Sequence, residues 1–277
     1  MSSVDNLPYL IRLLDDQDPA VQPVVRQQLS DLGGDISQDL AALGIQLPKT
    51  EKRCLAKLLE PGRRETLREE WLVPSGGAAS LEEDWESFES ILRQLSDFLH
   101  DGITLRPSLT DSLDLLTDEV REDLPAPTAE ELRLWLFDTD NFKGVKAKAE
   151  AVKFFDICRV INTREGNPTS LGILYILLGR RLGAQVEGCN YPGHFLTRIQ
   201  SEGTSYLVDC FHGGRRFAIE SLLENHPEIS NKAKHALDVP SHLGLILLRY
   251  ITELQHSLVS TGRSEDADLF NELLHTL

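Results

Sequence analysis

The chain has 277 residues with 44 acidic against 28 basic side chains, a formal charge of −16, and it is 41% hydrophobic and 26% charged. That length holds one sizeable core or two modest ones. The carboxylate excess excludes nucleic acid and an anionic membrane surface as main partners, because phosphate binding needs lysine and arginine patches, and it reads as a solvated acidic surface.

Met1-Ser2-Ser3-Val4-Asp5 has neither a basic n-region nor an apolar h-region, so no signal peptide is expected. The longest nearly apolar run, Leu171 to Leu178, is far too short to span a bilayer. Cys54, Cys158, Cys189 and Cys210 are scattered without a Cys-x-x-Cys spacing. This is the pattern of reduced thiols in a cytoplasmic protein rather than of a disulfide framework or zinc site. Each reads as a small buried hydrophobe.

The N-terminus reads as paired helices. Leu7 to Leu14 is an apolar segment ended by Asp15-Asp16-Gln17-Asp18. Asp18 is placed to cap a second helix with Pro19 at its first position, and Val21, Val24, Val25, Leu29 and Leu32 follow at helical spacing. Gly33-Gly34 stops it, and Asp35 to Leu43 reads as a third short helix. Val73 to Ser80, rich in glycine and serine, reads as a linker. Beyond it Leu81 to Leu99 is amphipathic, with Trp85, Phe88, Ile91, Leu92, Leu95 and Leu99 as the buried stripe. Leu113 to Leu124, Ala129 to Phe137 and Lys146 to Val160 are further expected helices.

From Asn167 the pattern sharpens. Asn167 suits an N-cap, Pro168 the first helical position, and Gly183 the end, after Arg180 and Arg181 in the last turn. The residues between are apolar nearly all round, so this helix is buried. Gly172 and Gly179, seven apart, share a face that admits close approach. The amino end of a buried helix offers free N–H groups and partial positive charge, where a low-pKa thiol or an oxyanion is stabilised. Gln185 to Cys189 then reads as a strand, Asn190 to Gly193 as a turn, and His194 to Ile199 with Ser205 to Phe211 as a hairpin. Pairing Ile199 with Thr204 across a Gln200–Gly203 loop sets His194 opposite Asp209 on one face. Such an Asp orients and charges its His. Gly213-Gly214 is another turn. Leu243, Ile246, Leu247, Tyr250, Ile251 and Leu254 mark one more helix, and a last one runs from about Glu265 to the end.

Gly166-Asn167-Pro168-Thr169-Ser170-Leu171, Arg181-Leu182-Gly183, Pro192-Gly193-His194-Phe195-Leu196 and Leu207-Val208-Asp209-x-Phe211-x-Gly213-Gly214 resemble the SirB-type transglutaminase-like domain, specifically from about Leu134 to Phe217. The likeness extends more loosely through Leu247-Leu248-Arg249-Tyr250. It implies membership of the transglutaminase/cysteine-protease-like superfamily, whose active members open a core helix with a Gly-x-Cys and carry a His and an Asp on successive strands. On that pattern His194 and Asp209 match the His and Asp. Pro168, with Gly183 fifteen residues beyond, stands where the thiol would be. Proline has neither a nucleophile nor an N–H. The segment around Leu13 to Val21 resembles a single HEAT-type unit.

The fold expected is therefore α+β and predominantly helical: a transglutaminase-like core, one buried helix against a small antiparallel sheet, flanked by helical segments. The expected divisions are a HEAT-like segment over residues 1–72, a transglutaminase-like domain with a helical lead-in over 81–225, and a helical tail resembling a truncated repeat over 240–277. Two functions stand. One is a non-catalytic binding or scaffolding module with a protein partner. The other is a hydrolase or acyltransferase in which His194 and Asp209 serve Ser170 or Thr169, the first-turn hydroxyls, whose plainer role is capping. Cys210 alternates to the face opposite Asp209, and Cys158 has no place in the site. Asp209-x-x-His212 with His194 offers donors of zinc type but no ligand spacing, and Arg215-Arg216 reads as a surface ion-pairing group rather than an anion site. No metal or cofactor is expected.

Overall fold

The computed structural model describes residues 6–14, 16, 18–138, 141–146, 151–226 and 228–277. It divides into two compact units, Met1–Leu72 with Asp97–Arg106, and Val73–Ser96 with Pro107–Leu277.

The smaller unit is helical: α1 (Leu7–Arg12), α2 (Val21–Ser30), α3 (Ser37–Ala42), α4 (Lys49–Leu58) and α5 (Glu60–Glu70). Leu7, Leu10, Val25, Leu29, Ile36, Leu55 and Leu59 form its core. Asp18 does not cap α2 as expected. Its carboxylate accepts from Ala20 N at 2.8 Å in a tight turn, and the helix opens at Val21 after Ala20. An aspartate two residues ahead of a free N–H closes such a turn at least as readily as it caps. Met1–Asp5, Asp15 and Gln17, which bear on the leader and turn readings, lie outside the described residues.

The larger unit holds α6 (Trp85–Leu99, whose last turn belongs to the smaller unit), α7 (Leu109–Asp123), α8 (Ala129–Arg133), α9 (Ile157–Thr163), α10 (Pro168–Leu182), α11 (Ile219–Asn225), α12 (Asn231–Asp238), α13 (Leu243–Ser260) and α14 (Ser264–Leu274). A short parallel pair joins β1 (Lys143–Gly144) to β2 (Glu165–Gly166), and an antiparallel sheet runs β3 (Val186–Cys189), β4 (Leu196–Ser201), β5 (Thr204–Asp209), β6 (Arg215–Ala218) in that order. The fold is thus α+β and predominantly helical. The helix expected over Lys146 to Val160 is broken. Residues 147–150 lie outside the described residues, Ala151–Phe155 is a 3-10 turn, and α9 starts afresh after Asp156, whose carboxylate accepts from Arg159 N. Ala129 to Phe137 likewise changes character, α8 giving way to a π-helical turn over Leu134–Asp138. α11, at the end of the expected 81–225 domain, and α12, between it and the expected tail, are helices the apolar pattern did not show. Both cover the sheet. No helix among the described residues is long and apolar enough to cross a membrane.

α10 organises this unit. Leu171, Ile173, Leu174, Tyr175, Ile176, Leu177 and Leu178 are all 0–1% exposed. Burying such side chains contributes about 1.5–3 kcal/mol each. α7, α8, α9 and α13 pack around the helix, and β3 and β4 close its remaining side. That side is the glycine face. A Cβ on Gly172 would lie 2.5 Å from the Phe195 ring, and one on Gly179 would lie 2.8 Å from the Val186 side chain and 2.9 Å from Ala184 O. The tyrosine hydroxyl of Tyr175 donates to Ala129 O at 2.5 Å. Arg181 at the far end pairs with Glu89 at 2.6 Å. Helices α13 and α14 are part of this same unit and not a separate tail. Tyr250 of α13, fully buried, donates to Phe155 O.

The hairpin register differs from the expected one. Ser201 pairs with Thr204 and Thr197 with Val208. The loop is therefore only Glu202-Gly203, with φ of +50° and +77°. Two successive positive φ values make the type I′ turn whose twist matches paired strands, and this turn prevails over the four-residue loop. Continuing the register sets Asp209 beside Leu196. His194 falls outside β4, in the turn closed by His194 N donating to Tyr191 O at 3.1 Å.

Gly172→Ala tests the close packing of α10 on the sheet. Alanine is the better helix former by about 1 kcal/mol, yet overpacking against Phe195 costs about 1–3 kcal/mol, so we expect a net loss of up to about 2 kcal/mol. Urea unfolding measures it. A variant as stable as wild type would show that the ring moves aside freely.

Candidate functional site

The amino end of α10 is built by a reciprocal cap. Asn167 Oδ1 accepts from Ser170 N at 2.8 Å, and Ser170 Oγ accepts from Asn167 N at 3.0 Å. Pro168 occupies the first helical position, where its missing N–H costs nothing. Thr169 is fully buried and its hydroxyl donates to Glu253 of α13. The other Glu253 oxygen accepts from Arg249 Nε at 2.8 Å, and Arg249 Nη1 donates to Tyr191 O at 3.0 Å. The Arg249 guanidinium also lies 5.8 Å from the centroid of the Phe195 ring. One carboxylate thus ties the first turn of α10 to α13, and through Arg249 to the Tyr191–Phe195 turn. A carboxylate bonded to a helix's first turn is also favoured by the helix dipole.

Beside this network opens a cleft of about 460 Å³, whose walls include Phe154, Phe155, Asn167, Pro168, Glu253 and Ser257. Asn167 Nδ2 and Ser257 Oγ are buried there without a hydrogen-bond partner. His256 stands exposed at its rim.

The four expected residues do not converge. Thr169 and Ser170 sit together behind Pro168, each hydroxyl already bonded. His194 is exposed, and its ring has no hydrogen bond or ion pair among the described residues. Asp209 takes a different partner: Asp209 Oδ2 lies 2.7 Å from His212 Nδ1, and Asp209 Oδ1 accepts from His212 N at 3.2 Å. The sheet also turns Asp209 away from α10. Thr197 and its partner Val208 face that helix, with Thr197 Cγ2 3.4 Å from the Cβ position of Gly172. Leu207 points the other way, into a cluster with Cys189, Ile219 and Leu237. Asp209, two residues on, shares the Leu207 face. The pairing of His194 with Asp209 is therefore corrected to Asp209 with His212. The two-residue register shift and the strand alternation are the causes.

Alternative nucleophiles fare no better. Burial pushes the Cys210 thiol up to about 12, and burial also raises Cys189, whose Sγ donates to Ala236 O. Such thiols stay protonated and unreactive. Cys158 is buried, and Cys54 is exposed in the smaller unit. Arg216 is ion-paired with Glu130 at 3.0 Å and stacked over Tyr206. No group of three or more His, Cys, Asp or Glu side chains among the described residues is placed to hold a metal ion.

Sequence reasoning missed Glu253 and Ser257. Arg249 and Glu253 were visible only as an i,i+4 pair of opposite charge on a helix, a pattern more often exposed than functional. Nothing local links them to Thr169, 84 residues away.

A buried central helix against a small antiparallel sheet, flanked by helices, is consistent with a transglutaminase-like domain. Residues 108–242 match the sequence profile of the transglutaminase-like superfamily, and the chain carries a domain of that superfamily. Among curated proteins, UPF0162 proteins of two Xylella fastidiosa strains are 32% identical over 115 residues, covering 39% of this chain and 41% of theirs. F-box only protein 21 of Mus musculus is 27% identical over 182 residues, 62% of this chain and 28% of its own. The matched segments thus span well under half the length of these relatives. No solved structure matches the chain.

Two outcomes follow from this geometry. Thr169→Val removes a hydrogen bond to a charged acceptor, so thermal or urea unfolding should record a loss of about 1.5–3 kcal/mol. A loss below ~0.5 kcal/mol would show that Arg249 alone satisfies Glu253. In a native alkylation experiment at about pH 8 read by mass spectrometry, Cys54 should react while Cys158, Cys189 and Cys210 stay protected until denaturant is added. Modification of native Cys210 would contradict its burial.

Proposed function

We propose that this chain is a SirB-type transglutaminase-like protein acting in the cytoplasm as a binding or scaffolding module, non-catalytic at the usual thiol position, with a protein partner. The observation that carries the reading is the amino end of α10. Pro168 opens the helix, Thr169 is committed to Glu253 and Ser170 to the cap. A hydroxyl nucleophile needs a base in reach and an approach for substrate. No imidazole bonds either hydroxyl among the described residues, and both residues are fully buried. The smaller helical unit is read as HEAT-like, and paired helices of that kind offer extended interaction surfaces.

A second reading rests on one contact. The Thr169 hydroxyl donates to a carboxylate, as a nucleophile donates to its base. The complete burial of Thr169 and the Arg249 ion pair on Glu253 weigh against it, because both hold the carboxylate as a structural acceptor.

The test compares wild type, His194→Ala and Thr169→Val across a panel of ester and amide substrates, with circular dichroism to show that each is folded. We expect indistinguishable, background-level profiles. Turnover by wild type that either substitution abolishes would overturn the non-catalytic reading.

A further inference from the structure

We propose that a separate groove at the carboxyl end of α10 binds a small aromatic zwitterion. Residues of α6, α7 and α10 line it, and its volume is about 420 Å³. It lies at Arg180, roughly 18 Å along the helix axis from Pro168. Two charges on its walls stand uncompensated. Glu86 is in the first turn of α6 and Arg180 in the last turn of α10, where the helix dipoles favour a negative and a positive charge respectively. Both side chains are exposed, and neither forms an ion pair among the described residues. The other charged groups of the walls are engaged. Glu89 accepts from Arg181 at 2.6 Å and from the Thr110 hydroxyl at 3.3 Å, and Arg93 interacts elsewhere in the protein.

Trp85 supplies the flat apolar wall. Its ring is half-buried and packs edge-on against the fully buried Phe88, with centroids 6.2 Å apart. The Arg180 guanidinium lies over the same ring, 5.4 Å from its centroid. Stacking of this kind orders the fork of donors that arginine offers to a carboxylate. The Ser90 hydroxyl and the Trp85 indole N–H bond no protein group among the described residues either, so the walls carry further unused donors. A simple anion would be repelled by Glu86 and a simple cation by Arg180. A ligand bearing both charges meets each with its opposite, and an aromatic ring on it packs against the indole. An aromatic α-amino acid has this make-up, with a carboxylate for Arg180 and an ammonium for Glu86. Sites for small ligands have volumes of about 300–1,000 Å³, and this groove falls within that range.

The experiment is an NMR titration of the full chain, isotope-labelled at tryptophan, with L-phenylalanine. The chain has three tryptophans, and Trp85→Phe identifies the Trp85 indole signal by its loss. A saturable shift of that signal is expected. Phenylpropanoate lacks the ammonium, phenethylamine lacks the carboxylate and L-alanine lacks the ring. Each is expected to bind more weakly by about tenfold. Arg180→Gln and Glu86→Gln alter exposed side chains, so both should fold as wild type does, with circular dichroism as the check. Each should weaken phenylalanine binding about tenfold, or 1.4 kcal/mol. Absence of a saturable shift in wild type, a control ligand that binds as tightly as phenylalanine, or undiminished affinity in either folded variant overturns the inference. None of these results touches the non-catalytic reading, which rests on the other end of α10.

Discussion

The larger unit depends on one constraint: α10 is apolar on nearly every side and has to be enclosed completely. Helices cover most of its circumference, but the sheet reaches it only because Gly172 and Gly179 remove two side chains from the facing surface. Phe195 and Val186 fill the space so released. Close packing of this kind is dense and unforgiving, and it fixes where the helix ends emerge. The carboxyl end turns at Gly183 in the left-handed region, after Arg181 has met Glu89 and Asp114. The amino end is delivered beside α13, and every polar contact at the cleft follows from that placement.

The amino end of α10 is closed by hydrogen bonds. A thiol acyltransferase needs its first-turn groups unoccupied and approachable, with a base beside them. Here proline, a reciprocal cap and a buried threonine–carboxylate bond occupy those positions. Each strengthens the helix end. The unsatisfied atoms lie slightly to one side, on the cap's own amide and on α13. Leaving a buried polar atom unpaired costs about 1–3 kcal/mol. α13 lies beyond residues 108–242, the part matching the superfamily profile.

The histidine and aspartate illustrate how a two-residue change in a hairpin redistributes chemistry. A tight turn at Glu202-Gly203 slides β5 against β4, and the residue opposite Asp209 becomes Leu196 in place of His194. Asp209 then closes a local 3-10 turn onto His212, three residues on. Its carboxylate shares the sheet face of Leu207, across the sheet from α10.

Much was legible without coordinates. The nearly continuous apolar run from Leu171 to Leu178 declared a buried helix, because no surface helix tolerates it, and Asn167-Pro168 with Gly183 declared its ends through steric and hydrogen-bonding rules that operate within a few residues. The stripe from Leu243 to Leu254 declared α13 in the same way. Register was not legible, since two loop lengths gave the same alternation and only the twist of paired strands chose between them. The 3-10 and π-helical interruptions were hidden for a similar reason: a helical apolar period persists across them. The residues themselves thus determined which helix is buried and how it is capped, because those are local properties of the chain. Which side chains meet at its amino end was decided by the tertiary structure alone, because Thr169, Glu253 and Ser257 are brought together by the packing of α13 on α10, and no local rule connects residues so far apart.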